Sequence, residues 1–319
     1  MSGTYSAPMS ADHVHDAESL PPPTLQEVSD GIFAYVQLDG SWCLNNTGFL
    51  VGRDGVTAID TCATERRTRA FLSALGGVTS APVRVLVNTH HHGDHTHGNW
   101  LLPAAAVVGH EKCRHEVLTT GSVTKGLWPW VEWGEIEVWP PFVTFDDHLS
   151  VWVDDLEVAL QHIGPAHTTN DVVGWVADRK VLFTGDLVFN GGTPFVVMGS
   201  VAGSLESVEQ LRAFGADTIV PGHGSVCGPE VFDQLADYFC FVQRIAAEGK
   251  AAGLTPLGAA LQADLGEFAE WHDRERIVGN LHRAYAEIDG AERGATIDVI
   301  AALTDMVTYN GGQPLRCLA

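Results

Sequence analysis

A histidine-rich run over residues 89–99 carries the side chains of this chain that are best suited to bind metal. Within it, His90, His92, Asp94 and His95 form the spacing His-x-His-x-Asp-His. Ligands this close in sequence cannot all face one way on a helix or a strand, whereas a tight loop can aim them at two adjacent points. Imidazole and carboxylate together suit zinc, and also iron or manganese. A polar surface loop without metal is the alternative, and it is rare for this spacing.

Strand ends should position this loop and three further candidate ligands. Residues 83–88, Val-Arg-Val-Leu-Val-Asn, predict a buried strand directly before the histidine run. His167 lies in Gly-Pro-Ala-His, Asp186 in Phe-Thr-Gly-Asp and His223 in Pro-Gly-His-Gly, and each follows an apolar segment. Any one of these alone would be weak. As an ordered set behind the histidine run, they predict a metal centre built at the ends of several strands.

These ordered motifs, from about Gly31 to Gly224, resemble the metallo-β-lactamase-fold superfamily. The resemblance implies an α/β fold of the αββα sandwich type and two zinc ions. It assigns one ion to His90, His92 and His167, the second to Asp94, His95 and His223, and the bridging position to Asp186. Zinc β-lactamases usually carry cysteine at that bridging position, so the resemblance implies the hydrolytic, glyoxalase-like branches and argues against β-lactam hydrolysis.

Further segments resemble the lactamase-fold cyclases of bacterial aromatic polyketide pathways. They are Trp42-Cys43, Leu127-Trp128-Pro129, residues 133–137, residues 199–203, residues 309–314 and the terminal Cys317-Leu318-Ala319. This resemblance implies a cyclase and/or thioesterase acting on polyketides bound to a carrier protein. The proline-rich start of the chain is not part of that pattern.

An aromatic segment, residues 121–145, contains tryptophans and prolines at neither helical nor strand spacing. Such a stiff loop could wall a pocket for a flat apolar substrate. We therefore predict that Trp42, Trp128, Trp130 and Trp133 bind substrate. Burial in a core or in a dimer seam is an equally weighted alternative, and a homodimer is compatible with it.

Composition narrows the choice of partners. The chain has 319 residues, with 40 acidic residues against 18 Lys and Arg and a net charge of −22. This charge argues against a nucleic-acid surface, which needs a basic footprint. A small-molecule or carrier-protein-bound substrate is the predicted partner. The acidity itself indicates general solubility and no particular partner.

Several features indicate a cytoplasmic protein with no membrane partner. No stretch of about 18 apolar residues is present to span a bilayer, and residues 1–30 lack the basic and apolar parts of a secretory signal. The six cysteines show no paired spacing, which predicts reduced, partly buried thiols.

The pattern of elements predicts two sheets back to back with helices outside. Strands come first, then strands and helices alternate, and the chain after Pro229 is helical. We predict a flexible arm over 1–27, a catalytic domain over 28–228 and a helical extension over 229–319 packed on the same domain. The first helix is expected over 64–75, ended by Gly76-Gly77. The extension could cap the site, form a subunit interface or only complete the outer layer.

Three functions remain open from the sequence. The first is a dizinc cyclase or thioesterase on polyketide intermediates, with Asp94 as a candidate catalytic base. The second is a general dizinc hydrolase of small esters, lactones or thioesters. The third is an iron-dependent redox enzyme of the persulfide dioxygenase type. His91 and His97 are expected outside the ligand set, with His91 pointing away from the metals.

Overall fold

The computed structural model of the protein describes residues 20–319, which form two packed β-sheets. The first sheet has the order β1-β2-β3-β4-β5-β6-β7 and the second the order β12-β11-β10-β9-β8. The strands of the first sheet are β1 Thr24–Ser29, β2 Ile32–Val36, β3 Thr47–Val51, β4 Val56–Ile59, β5 Val83–Val87, β6 Ala106–His110 and β7 Val143–Phe145. Those of the second are β8 His148–Val153, β9 Leu156–His162, β10 Val172–Val176, β11 Val181–Asn190 and β12 Thr218–Gly224.

Helices lie between and after these strands. They are α1 Glu65–Val78, α2 Gly93–Thr96, α3 Glu111–Thr120, α4 Thr124–Leu127, α5 Val201–Ala213, α6 Val231–Ala251, α7 Pro256–Gln262, α8 Arg276–Ile288 and α9 Val299–Tyr309. Short 3₁₀ turns occur at Asn99–Leu101, Ala177–Arg179 and Gly266–Glu270. No helix within residues 20–319 combines the length and apolar character needed to cross a membrane.

Strand alternation builds the layers. Neighbouring residues of a strand point to opposite faces, so Leu50 and Val87 join a cluster between the two sheets while Phe49 and Leu86 join a cluster under α1. The outer face of the second sheet packs against α5, α6 and α8 in a third cluster. The predicted αββα sandwich is therefore confirmed.

Two predicted boundaries were wrong. Strand β1 pairs antiparallel with β2, so residues 24–27 of the predicted arm belong to the sheet, because their backbone groups complete its edge. Residues 1–19 of that arm lie outside the described residues. Helix α1 continues through Gly76 and Gly77 to Val78, since glycine weakens a helix by about 1 kcal/mol without removing its hydrogen bonds.

The helical extension shares a core with the catalytic part of the chain. Its α6 and α8 lie in the same apolar cluster as residues 195–197 and α5. Buried polar groups join the two parts as well: Asn280 Nδ2 donates to the Pro194 carbonyl over 2.8 Å and Arg283 Nε to the Val197 carbonyl over 3.0 Å. The extension is thus built into the layer that lies beside the predicted metal ligands.

Candidate metal centre

The predicted ligands come from four places that meet at one edge of the sandwich. His90 and His92 lie in the loop after β5, and Asp94 and His95 lie in the single-turn helix α2. His167 lies between β9 and β10, Asp186 within β11 and His223 within β12. The register between β11 and β12 shifts on both sides of Gly185, which brings the Asp186 carboxylate beside Gly222. A Cβ atom at Gly222 would lie 2.0 Å from Asp186 Oδ1, so only glycine fits there.

The structure brings all seven predicted ligands together in two groups. One group is His90, His92, His167 and Asp186, and the other is Asp94, His95 and His223. Within each group the ligand atoms lie within 4.8 Å of one another, a separation that could hold a metal ion.

Asp186 faces both groups. Its Oδ2 lies 3.4 Å from His167 Nε2 and 3.4 Å from His223 Nε2, and its Oδ1 lies 3.0 Å from His95 Nε2. A single carboxylate therefore contacts histidines that belong to different groups. This is the position in which one anion can serve two cations.

The donor atoms fit a metal because the protein leaves several of them unpaired. His90 Nε2 and His92 Nε2 are buried and have no hydrogen-bond partner. Buried polar atoms of native proteins are almost always satisfied, since each unpaired one costs about 1–3 kcal/mol. A divalent cation at the centre of this cluster would satisfy them together.

The charges of the cluster also fit a bound metal ion. Burial by itself lowers the pKa of a histidine, but Asp186, Asp60 and Asp94 raise the pKa of His95 well above its ordinary value. Burial would likewise lower the pKa of His223, yet Asp186 and Asp94 raise it to about 9. Burial would raise the pKa of Asp186, yet the surrounding histidines lower it well below the ordinary value. Because ligands bind metal without their protons, metal binding at this site would release protons.

Asp60 is a functional residue that the sequence analysis missed. Its Oδ1 accepts from the Thr89 amide over 2.8 Å, and its Oδ2 accepts from Thr89 Oγ1 over 2.7 Å and contacts His95 Nδ1 over 2.8 Å. The contact fixes the His95 ring so that Nε2 faces the cluster. Asp60 follows directly after the apolar strand β4, the same signal that identified Asp186 and His223.

Other ligands are held in the same way through the ring nitrogen that faces away from the cluster. These contacts join His90 Nδ1 to Thr89 Oγ1 over 3.0 Å, His223 Nδ1 to the Gly40 carbonyl over 3.0 Å, and His167 Nδ1 to the Phe195 carbonyl. The two histidines expected outside the ligand set do lie outside both groups. His91 Nδ1 contacts Asn170 Nδ2 over 3.1 Å, and His97 Nδ1 contacts the Ala63 carbonyl over 3.1 Å.

A cleft of about 90 Å³ opens above the ligands. His92, Asp94, His167, Asp186 and His223 lie at its floor, and its walls are largely apolar. The side chains of the walls include Trp42, Leu127, Trp128, Phe189, Phe195, Met198 and Arg276. The cleft therefore joins a polar, anionic floor to an aromatic wall.

The predicted substrate-binding tryptophans divide into two pairs. Trp42 and Trp128 line the cleft with ring centroids 5.5 Å apart. Trp133 is buried outside the lining, packs edge-on against His97 and donates from its indole nitrogen to the Trp128 carbonyl over 3.0 Å. Trp130 is half-buried against the same core and also lies outside the lining. The position of Trp133 supports Trp128 and gives no direct contact with the cleft.

The helical extension contributes a cation that the sequence analysis did not identify. The Arg276 guanidinium lies 3.9 Å from the Trp42 ring centroid and donates to the Thr193 carbonyl over 3.0 Å. Glu275 Oε1 accepts from the Trp42 indole nitrogen over 2.8 Å. Trp42 is thus held by two consecutive residues of the extension. No local pattern could have indicated this contact, which joins positions 233 residues apart.

The chain is similar to several known proteins. The family model described as the metallo-beta-lactamase superfamily matches residues 40–223. A linear primary-alkylsulfatase of a Pseudomonas species is 23% identical over 249 residues, which cover 64% of this chain and 47% of that protein. A hydroxyacylglutathione hydrolase of Methylococcus capsulatus is 31% identical over 138 residues, covering 42% and 45%. The chain thus spans about half the length of these two curated relatives.

Two lactamases complete the comparison. A type 2 metallo-beta-lactamase of Bacteroides fragilis is 24% identical over 219 residues, covering 66% of this chain and 82% of that protein. The solved structure of a metallo-beta-lactamase from Pontibacter korlensis superposes with a TM-score of 0.57 at 18% identity, covering 69% of this chain and 99% of that one. The structural likeness agrees with the observed sandwich fold.

Proposed function

Because this chain belongs to the metallo-beta-lactamase superfamily, we propose that it is a dinuclear zinc enzyme acting on a polyketide-type (thio)ester or poly-β-ketone intermediate. It would serve as a cyclase and/or thioesterase in aromatic polyketide and antibiotic biosynthesis. The observation that carries the proposal is the aromatic cleft above the His/Asp cluster, with Trp42 and Trp128 in its wall. A flat, apolar acyl group suits such a wall, since each aromatic contact adds about 0.5–1.5 kcal/mol beyond area burial.

The chain offers a complete set of ligands for two ions. His90, His92 and His167 would hold the first, Asp94, His95 and His223 the second, and Asp186 would serve both. Bound zinc would polarise a substrate carbonyl and lower the pKa of water at the site to about 7. Nitrogen and oxygen donors of this kind suit zinc, while iron or manganese are compatible with the same donors.

The remaining chemistry belongs to side chains of the cleft. Asp94 is the proposed base because its side chain is 14% exposed and lines the cleft, whereas the Asp186 side chain is 5% exposed. Trp42 and Trp128 would orient the acyl group and exclude water around it. The Arg276 charge, held against Trp42, would favour negative charge that develops on a substrate oxygen.

A general hydrolase of small esters, lactones or thioesters is the second candidate. It is supported by the similarity to a hydroxyacylglutathione hydrolase, which covers 42% of this chain. The two candidates differ in whether the aromatic wall contributes to the choice of substrate. An iron-dependent redox enzyme would use the same ligands with a different metal.

Metal analysis and substrate comparison test the proposal. We expect two zinc ions per chain, and faster turnover of aromatic or polyketide-like thioesters than of acetyl thioesters or a penicillin. His167→Ala should lose metal and activity, while His148→Ala is a matched control because the His148 side chain is 80% exposed and lies outside the cluster. Equal turnover of acetyl and aromatic thioesters would support the general hydrolase. A single iron with oxygen consumption would assign the chain to redox chemistry, and faster β-lactam hydrolysis would discard the polyketide proposal.

A further inference from the structure

We propose that a second chamber behind Met198 receives the distal part of the substrate acyl chain. This inference rests on the proposed function, because it extends the cleft above the metal ligands into a two-part substrate site. It predicts a preference for long acyl chains over short ones. The chemical class of ligand is a neutral acyl chain that carries methylenes and carbonyl oxygens.

The two cavities are lined by neighbouring residues of the same loops. His92 and His167 line the cleft, whereas their near neighbours His91 and Thr169 line a second cavity of about 180 Å³. Met198 lines both cavities. Met198 is the lining residue that the two cavities share, and we infer that movement of its side chain would join the two spaces.

Met198 is suited to be a movable partition. Its side chain is unbranched, has three rotatable bonds and adapts to irregular space. Its backbone, by contrast, is fixed by the next residue: a Cβ atom at Gly199 would lie 1.8 Å from the Ala166 carbonyl oxygen, so the two loops touch through their main chains. This gives a role to the segment 199–203, which the metal centre does not use. The gate can open by side-chain rotation alone.

The helical extension supplies the far wall of the chamber. The Gly294 amide donates to the Gly199 carbonyl over 3.0 Å, which fixes the extension beside Met198. Half-buried Ile297 and Val299 line the chamber together with buried Val197. These apolar side chains suit the methylenes of an acyl chain.

The polar residues of the chamber indicate a neutral ligand with oxygen atoms. His91 and Glu116 line the chamber together with Thr169. Arg283 also lines it, but its Nε and Nη1 already donate to the Val197 and Ala295 carbonyls over 3.0 and 2.8 Å. Because the one arginine is occupied and Glu116 is acidic, an anionic chain end would be disfavoured. The Thr169 hydroxyl and the His91 ring can donate hydrogen bonds to ketone oxygens.

Binding of non-hydrolysable analogues tests the chamber independently of turnover. The probes are S-alkyl thioethers of N-acetylcysteamine with chains of two to about twelve carbons, titrated by calorimetry into the full, zinc-loaded chain. Burial of a methylene corresponds to about a fourfold gain in affinity. We expect the affinity to rise by about this factor per carbon after the cleft is filled, until the chamber is also filled.

Two variants and one control localise the effect. Val299→Trp fills the chamber from its far wall, and Met198→Trp closes the partition; each should remove the gain of the longest chains, by tenfold or more. Ile300→Trp is the matched control because Ile300 adjoins Val299, is 71% exposed and does not line the chamber. It should keep the wild-type dependence on chain length.

The outcomes separate the chamber from the proposed function. A wild-type affinity that does not change with chain length would overturn the chamber. So would an affinity that rises with chain length in Val299→Trp and Met198→Trp as much as in the wild type. A rise that both variants abolish supports it even if no thioester is turned over, in which case only the proposed function fails. Turnover of thioesters without any dependence on chain length would retain the function and remove the chamber.

Discussion

Replacement of Asp60 by asparagine should selectively weaken the metal position that contains His95. Asp60 accepts from the Thr89 amide through Oδ1, while its Oδ2 is shared by Thr89 Oγ1 and His95 Nδ1. An asparagine has one accepting oxygen and one donating nitrogen. If the asparagine oxygen keeps the hydrogen bond from the Thr89 N–H, the NH₂ group faces the His95 ring. The opposite orientation would lose the hydrogen bond from the Thr89 N–H, so we expect the first.

The conflict at His95 resolves at the expense of metal binding. The ring can accept from the asparagine NH₂ only if its proton moves from Nδ1 to Nε2. Nε2 is the atom that lies 3.0 Å from Asp186 Oδ1 in the cluster, and with a proton it cannot bind a cation. Loss of a hydrogen-bond partner to a ligand typically costs about 10–100-fold in metal affinity. We therefore expect a loss of about 1.4–2.7 kcal/mol at this position.

Zinc titration against a competing chromophoric chelator measures the effect. Asp60→Asn should weaken the ion held by Asp94, His95 and His223, and should change the other ion less. Asp178→Asn is the control because Asp178 is exposed on the 3₁₀ turn after β10. Two zinc affinities equal to those of the wild type in a folded Asp60→Asn protein would refute the orienting role of Asp60. An equal loss at both positions would refute its selectivity.

Three further results are expected. Asp186→Ala should lose both ions on dialysis, measured as zinc content, since its carboxylate faces both groups; retention of two ions would place the bridge elsewhere. Burial raises the pKa of Asp273 to about 7, although Arg276 lies 2.9 Å away. The folded chain keeps this proton after the unfolded chain has released it, so stability should fall as the pH rises from about 4 to 7. Asp273→Asn should flatten that fall in urea unfolding, by at most about 4 kcal/mol; an unchanged pH profile would contradict the shift. Trp42→Ala should raise KM for aromatic thioesters about tenfold through lost ring contacts, while Phe142→Ala, at 83% exposure, should leave it unchanged; equal KM values would remove Trp42 from the site.

The order of the elements could be read from the sequence because most signals of secondary structure are local. The apolar segments that precede the histidine run, His167, Asp186 and His223 correspond to β5, β9, β11 and β12, and β11 differs most from the prediction. The prediction ended β11 before Asp186, whereas the strand runs to Asn190 through an irregular register at Gly185. The start of the sheet was also missed, because β1 contains no buried residue and is stabilised by pairing with β2.

The residues that meet in the two groups could be identified from the sequence by itself, because their spacing and their positions after apolar segments are local properties of the chain. The choice between Trp128 and Trp133 in the cleft could not, since both lie in one aromatic segment and differ only in which neighbour each one packs against. Only the tertiary structure shows that Glu275 and Arg276 contact Trp42. The same is true of the position of Val299 in the chamber wall. These contacts join distant parts of the chain, so the spacing of apolar residues in the sequence does not predict them. They form because the extension packs against the same core as the candidate metal-binding loops.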